Sequence, residues 1–273
     1  MLLQKKLYEY MLAKKAILAA NFYNFETLSG ILQAAKNTNA LIILQLSESS
    51  INYLGLKIAA NIAKTALAEY NVEGWLHLDH GSTLEIVAKC LDAGFDSVMI
   101  DASEKSFEEN IRLTKEVVKL AQQYNANVEA ELGYVAKLGQ QFDKAGFTKP
   151  DDAFKFVMET NVPTLAIAIG SAHGFYKQLP KLDIDLLSQI HNRVNIPLVL
   201  HGSSGIPQDI LQNAVRHGIS KVNLATETKS AFMSELKRVL ENTDEIDLRK
   251  VFPKAIQSVI NLIQDKIEII NSF

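Results

Sequence analysis

Cysteine is nearly absent from this chain. Cys90 alone among 273 residues excludes an intrachain disulfide and any zinc knuckle built on thiolates. It falls in Ile86-Val87-Ala88-Lys89-Cys90-Leu91, which reads as a buried helix face, so the thiol is expected to be structural. An excess of positive charge is also missing: 28 basic against 31 acidic residues give a net charge of −3, with no basic stripe and no case for nucleic acid. No apolar run approaches the roughly 18–20 residues of a membrane helix. The first ten residues alternate Leu with Lys and Gln instead of offering a signal-peptide apolar region, so a cytoplasmic location is expected. Internal repeats and low-complexity linkers are lacking too, and a single domain over residues 1–273 follows. What remains, 48% hydrophobic and 22% charged, is the profile of an ordinary globular protein.

Apolar strand-like runs alternate with amphipathic helical stretches from start to end, the pattern of an α/β fold on a parallel sheet. Strands are expected at 16–22, 41–46, 74–78, 97–100, 127–132, 164–169, 196–200 and 221–224. Helices are expected at 26–37, 56–70, 104–123, 151–160, 183–193, 207–217, 229–240 and 253–269, and another from the capping-box pattern Ser82-Thr83-Leu84-Glu85 to the αL stop at Gly94. The one irregular stretch is 133–150. Eight strand–helix units in about 250 residues match the size of a TIM (β/α)8 barrel, here with a C-terminal helical extension. A doubly wound open sheet is disfavoured because no Gly-rich dinucleotide turn follows the first strand.

In a barrel all strand C-termini meet at one face, and the polar residues of this chain gather there. Asn21 and Asn24 follow strand one, Ser47 strand two, and Asp79 and His80 strand three. Asp101 follows strand four, Glu131 lies in strand five, and Ser171 and His173 follow strand six. His201, Ser203 and Ser204 follow strand seven, and Asn223 and Thr226 strand eight. Chance would scatter such residues over both ends. Singly, each histidine would be an ordinary hydrogen-bonded residue; three in corresponding places, His80, His173 and His201, make a neutral set with an open position, as a catalytic zinc uses. His77, inside a strand, is expected to be structural, and His191 and His217 to lie on the outer helices. The turn His201-Gly202-Ser203-Ser204-Gly205-Ile206-Pro207 and the segment Asn223-Leu224-Ala225-Thr226 suggest a phosphate site built from the last two strand–helix loops.

The stretches His77-Leu78-Asp79-His80-Gly81, Ser97-Val98-Met99-Ile100-Asp101, Glu109-Asn110 and Val128-Glu129-Ala130-Glu131-Leu132-Gly133 resemble the class II (zinc-dependent) ketose-bisphosphate aldolases. So do Ala166-Ile167-Ala168-Ile169-Gly170-Ser171-Ala172-His173-Gly174, Pro197-Leu198-Val199-Leu200-His201-Gly202 and Lys221-Val222-Asn223, in collinear order over essentially the whole chain. The resemblance implies a TIM barrel, a homodimer or homotetramer, zinc as cofactor, and reversible cleavage of a ketose 1,6-bisphosphate to dihydroxyacetone phosphate and an aldehyde. By the same resemblance His80, His173 and His201 match the zinc ligands, and Asp79 the acid/base for the C3–C4 bond. Asp101 and Glu131 match carboxylates that hold a second or displaced metal in some members, which also leaves room for a second divalent or a monovalent cation. Gly174, Gly202, Ser203, Ser204, Asn223, Leu224, Ala225 and Thr226 match the dihydroxyacetone-phosphate site. Asn24 and Ser47 match further substrate contacts, and Arg249 the arginine for the distal phosphate.

The chain departs from the family in one loop. After Glu-Leu-Gly, members usually carry Gly-Gly-x-Glu-Asp, whose acidic residue exchanges the proton on the substrate carbon. Here Ala136-Lys137 stand in place of the double glycine and Gly139-Gln140 in place of the acidic pair, with Asp143 further on. Glutamine is no base. Ala225, where fructose-type members commonly carry aspartate, favours the tagatose-type branch, as does Asp247-Leu248-Arg249 in place of Asp-Pro-Arg. Two expectations follow: an aldolase with another group in the proton-exchange role, or a relative that binds sugar phosphates with altered or no turnover.

Overall fold

The computed structural model describes residues 2–135, 146–176 and 178–272. The first helix, α1 (Leu3–Leu12), precedes eight strands: β1 (Ile17–Asn21), β2 (Ile42–Ser47), β3 (Gly74–Gly81), β4 (Ser97–Ile100), β5 (Asn127–Leu132), β6 (Thr164–Ile167), β7 (Leu198–Leu200) and β8 (Ile219–Leu224). Around them run α2 (Phe25–Thr38), α3 (Glu48–Leu54), α4 (Leu56–Tyr70), α5 (Leu84–Asp92), α6 (Phe107–Gln122), α7 (Pro150–Thr160), α8 (Ile184–Val194), α9 (Gln208–Arg216), α10 (Thr226–Leu240) and α11 (Leu248–Ile269). The strands are all parallel and close in chain order, β8 pairing with β1 through Ile17–Lys221, Leu18–Val222 and Ala19–Asn223. This is the TIM barrel that the alternation predicts. No helix among the described residues is long and apolar enough to cross a membrane.

The period-2 alternation of strands divides the interior. One set, including Leu18, Leu44, Leu46, Leu76, Leu78, Val98 and Ile100, faces the helices and forms a continuous apolar shell. The other set faces the barrel axis. At the bottom it is apolar, where Ile17, Ala19, Ile43 and Trp75 pack against Leu3 and Leu7 of α1. Burying each of those leucines contributes about 1.5–3 kcal/mol, so α1 closes the N-terminal face. One level up the interior turns polar: Gln45, His77, Ser97 and Asn127 are successive register partners, all buried. Barrel interiors are ordinarily filled by branched apolar side chains. The polar floor therefore marks the end that carries chemistry.

Several elements differ from the sequence expectation. Neither α1 nor α3 is anticipated by it. The cap of α5 is Thr83, whose hydroxyl accepts from the Ile86 amide, while Glu85 pairs with Lys89 at 2.6 Å instead of closing a capping box. The capping box forms on α2, between Asn24 and Thr27. Helix α11 starts at Leu248, capped by Asp247, and carries Pro253 inside, although proline leaves the Arg249 carbonyl without its usual N–H partner. Helix α6 starts later than expected because Ser106 caps it. Strand β3 runs three residues beyond the expected stop at Leu78, and that extension matters most for the site.

Helix α11 packs against α2 and α10 to complete the outer ring. Gly30 of α2 sits at the crossing, where an added Cβ would lie 2.9 Å from the Val259 side chain and 3.2 Å from the Ile256 carbonyl. Gly30→Ala is therefore expected to destabilise the protein by about 1–3 kcal/mol, despite alanine's better helix propensity. Urea unfolding checks this, and a gain in stability would refute the tight crossing.

Candidate active site

Successive side chains of a regular strand point to opposite faces, so Asp79 and His80 could not both reach the mouth of the barrel. The β3–β4 register breaks between Leu78 and Gly81, and His80 takes φ +53°, the left-handed region a non-glycine residue rarely adopts. Gly81 makes this fit, since a Cβ there would lie 2.6 Å from the Met99 carbonyl and 2.7 Å from Leu78. The bulge re-aims His80 so that it lies beside Asp79, with 3.9 Å between the imidazole Nε2 and the carboxylate.

Two other loops bring the remaining imidazoles. The ring centroids of His80 lie 5.0 Å from His173 and 4.7 Å from His201, and one nitrogen from each of the three falls within 4.8 Å of the others. Two of the rings are set from behind. His80 Nδ1 is 2.7 Å from Asp101 Oδ2, and His201 Nε2 is 2.7 Å from Glu129 Oε1. Each carboxylate accepts the N–H it faces, so His80 Nε2 and His201 Nδ1 are turned to one another at 3.0 Å. Two nitrogens bound to one tetrahedral zinc at about 2.0–2.1 Å stand roughly 3.3 Å apart. The donor set therefore fits a single divalent cation held by His80, His173 and His201. A second cluster, His80 with Asp101 and Glu131, lies alongside it.

The charges around this point are uneven. Burial works against charge on His80, but the Asp79 carboxylate and the bond to Asp101 outweigh it and carry the imidazole up to about 10. Burial, with the neighbouring His201 and His80, holds His173 down at about 3. Burial would raise Asp79, yet His80, His201 and Lys221 and a hydrogen bond from Asn21 bring it to about 2. The Asn21 amide donates to Asp79 Oδ2 at 2.9 Å, and the Asn223 amide stands 3.4 Å from Oδ1. Gln45 in turn donates to the Asn21 carbonyl oxygen at 3.0 Å. Asp79 is thus a fixed, ionised carboxylate with its acceptor directions known. Burial foremost, with Asp101 close by, pushes Glu131 up to about 7, and its Oε2 is buried without a hydrogen-bond partner. Asn223 Oδ1 and Ser171 Oγ are also buried and unpartnered. Such polar atoms are what a bound ion or polar ligand would satisfy.

The loops expected to hold phosphate close over the same mouth. Gly174 and Gly202 take φ +91° and +68°, and a Cβ on Gly202 would collide with the Ala172 carbonyl. The Tyr176 hydroxyl ties these two turns together, accepting from the Ala172 amide at 2.8 Å and donating to the Gly202 carbonyl at 2.7 Å. Ser203 points inward, donating to the Asn223 carbonyl at 2.6 Å, and Ser204 accepts from the Glu227 amide at 3.3 Å. Leu224 ends β8 facing the helices. Ala225 stands at the N-cap of α10 without a side-chain cap. In the first turn the Glu227 amide bonds Ser204 while the Glu227 carboxylate accepts from the Gly205 amide at 2.6 Å, so the amides left to an anion there are those nearest Ala225 and Thr226.

Other sequence-expected residues sit further from the cluster. Asn24 and Ser47 follow β1 and β2, where their side-chain oxygens cap α2 and α3. Arg249 is 90% exposed in its side chain, with its guanidinium bonded to Asp247 at 2.9 Å, and no described contact joins it to the histidines. Gln140 and Asp143 lie outside the described residues. Two residues that sequence reasoning left without a role, Glu129 and Lys221, are wholly buried beneath the site and joined at 2.7 Å. Charged residues inside strands buried on both faces were the available signal. His77, expected to be structural, lies in the same floor, where burial and the Lys221 charge keep it neutral at about 3.

Comparison with known proteins agrees with this geometry. The family model described as fructose-bisphosphate aldolase class-II matches residues 3–273. A fructose-bisphosphate aldolase of Helicobacter pylori is 38% identical, the match covering 93% of this chain and 92% of that protein. The D-tagatose-1,6-bisphosphate aldolase subunit GatY of Klebsiella oxytoca is 35% identical over 92% of this chain and 90% of its own. Among solved structures, the YdjI aldolase of Escherichia coli K12 superposes with a TM-score of 0.89 at 30% identity, covering 98% of this chain and 96% of that one.

A proton on His80 answers, in chelator-treated protein, the same negative field that a cation would. Zinc binding at pH 8 is therefore expected to release about one proton per site. Calorimetric titration in buffers of different ionisation enthalpy measures this. Release near zero would show that His80 is already neutral before binding.

Proposed function

The chain belongs to the class II fructose-bisphosphate aldolase family, and we propose that it reversibly cleaves a ketose 1,6-bisphosphate of tagatose or fructose type to dihydroxyacetone phosphate and an aldehyde, using zinc. The observation that carries this is the ionised Asp79 carboxylate beside three imidazoles that converge on one point. When bound by His80, His173 and His201, a zinc ion would supply Lewis-acid stabilisation of the negative charge that develops on the substrate when the carbon–carbon bond breaks.

The chain's own residues supply the rest. Asp79, ionised and held by Asn21, is placed to take the hydroxyl proton from the carbon next to the scissile bond and to return it in the synthetic direction. Gly174, the Gly202–Ser204 turn and the open N-terminus of α10 at Ala225–Thr226 offer backbone N–H groups and hydroxyls to the phosphate of the dihydroxyacetone half. Such a phosphate site between the last two loops is a recurrent feature of the barrel. Anchoring the phosphate there fixes which carbons lie over the imidazoles, so the cleaved bond is chosen by distance. Asn24 and Ser47, after β1 and β2, are assigned to the other half of the sugar. Ala225 favours the tagatose type of the two.

Zinc-loaded protein is expected to release triose phosphates from tagatose or fructose 1,6-bisphosphate, read by coupled NADH oxidation. Asp79→Asn should lower kcat by about 10²–10⁴-fold at unchanged zinc content. Absence of turnover on both sugars by fully zinc-loaded protein would overturn the assignment.

A further inference from the structure

We propose that Lys221, a lysine buried beneath the site, is a positioning residue that dictates which ring nitrogen His201 presents to the mouth of the barrel, acting through Glu129. The inference rests on the reading of His201 as a metal ligand and adds to it a residue that no expected role covers.

Donors and acceptors alone set the direction of this chain of contacts. An ammonium has only hydrogens to offer, and a carboxylate only lone pairs. Lys221 is 1% exposed and Glu129 is fully buried, so water cannot relax either requirement. Lys221 Nζ lies 2.7 Å from Glu129 Oε2 and 3.5 Å from His77 Nε2, and must donate to both. His77 is thereby forced to accept at Nε2 and to give its Nδ1–H to Ser97 Oγ at 2.7 Å. On the other side, Glu129 stays a carboxylate, and its second oxygen, Oε1, faces His201 Nε2 at 2.7 Å. A neutral His201 can satisfy that oxygen only by carrying its hydrogen on Nε2. Its lone pair is then on Nδ1, the atom 3.0 Å from His80 Nε2.

Of the other polar neighbours of His201, the Asn223 amide nitrogen lies 3.1 Å from Nε2 and 3.4 Å from Nδ1 and does not decide the matter. A proton on His80 Nε2 in metal-free protein favours the same tautomer, so the zinc affinity of the variants is what isolates the part played by Lys221. The direction of the chain Ser97–His77–Lys221–Glu129–His201 is set at the lysine, its only permanent donor. Replace the carboxylate by an amide and the logic becomes visible. With Lys221 in place, the side chain introduced by Glu129→Gln must turn its oxygen to the ammonium and its NH2 to His201, which drives the imidazole hydrogen to Nδ1 and blocks the mouth. Without the lysine the amide is free to turn over and restore the productive tautomer.

The test compares the full-length wild type with Lys221→Met, Glu129→Gln and the double variant. Zinc affinity is read by competition with a chromophoric chelator, and ring protonation by 15N NMR of labelled histidines in metal-free and zinc-loaded protein. The wild type should carry the His201 hydrogen on Nε2 in both states. Lys221→Met should bind zinc roughly 10- to 100-fold more weakly. Glu129→Gln should be weaker still, and the double variant should bind more tightly than Glu129→Gln alone. A brace with no orienting role would cost stability in the single variants and leave zinc affinity and ring protonation of the folded protein unchanged, which would overturn the proposal. So would a double variant no better than Glu129→Gln, or a wild-type His201 with its hydrogen on Nδ1. If a single variant fails to fold, a metal-free wild-type spectrum with the His201 hydrogen on Nδ1 still overturns the proposal, and it does so too if the wild type binds no zinc, which would sink the metal reading alone.

Discussion

Glu129 is a carboxylate with no access to water, a placement that would ordinarily force it to take up a proton. It remains ionised because Lys221 and His201 each satisfy one oxygen, and burial is outweighed chiefly by the lysine. The rest of the site depends on this arrangement. If Glu129 were neutral, His201 would lose the acceptor that fixes its ring. Buried ion pairs are often no more stabilising than an apolar replacement of the same volume. Their retention in the centre of a barrel points to orientation, and the orientation here is that of an imidazole at the mouth.

The second constraint is the bulge in β3. A regular strand would have put Asp79 over the barrel axis and His80 among the helices, where a charged imidazole has no partner. The left-handed residue costs of order 1–3 kcal/mol, as sparsely populated backbone does. The bond from His80 to Asp101 at 2.7 Å and the ladder around Gly81 hold it in place. Strain and site coincide at this residue: the distorted unit brings the His80 imidazole to within 3.9 Å of the Asp79 carboxylate, which already faces the axis.

The alternation of apolar runs and helical stretches was enough for the barrel, because parallel strands buried on both faces leave an unmistakable pattern in Leu41–Leu46 or Ala166–Ile169. The three histidines were legible for the same reason, each following such a run. Element ends were less so. Thr83 rather than Ser82 caps α5, a choice between two equally good caps that local sequence does not make. Helix α1 was invisible because Leu3, Leu7 and Met11 form a stripe only when a barrel floor is there to receive it. Lys221 and Glu129 stood in plain view, but their meaning lies in a contact across 92 residues, between strands on different sides of the barrel. No spacing rule reaches that far. Arg249 illustrates the converse, since matching a motif gave it a role that its bond to Asp247 leaves open.

Charge also decides how a substrate must lie. Asp79, Asp101, Glu129 and Glu131 surround the imidazoles, against the buried ammonium of Lys221. Such a field draws in a cation, and once the cation is bound little net charge is left to hold a phosphate dianion there. Among the described residues, the Gly202–Ser204 turn and the N-terminus of α10 turn positive ends of backbone dipoles toward the mouth, which is why the proposed phosphate site lies there. The two halves of the face are thus electrostatically opposite. On the proposed function, a ketose bisphosphate lies with the phosphate of its dihydroxyacetone half over the β7 and β8 loops and its hydroxyl-bearing carbons over the histidines and Asp79. In that proposed pose charge sets the orientation before any side chain touches the sugar, and the reacting hydroxyl faces the Asp79 carboxylate proposed to take its proton.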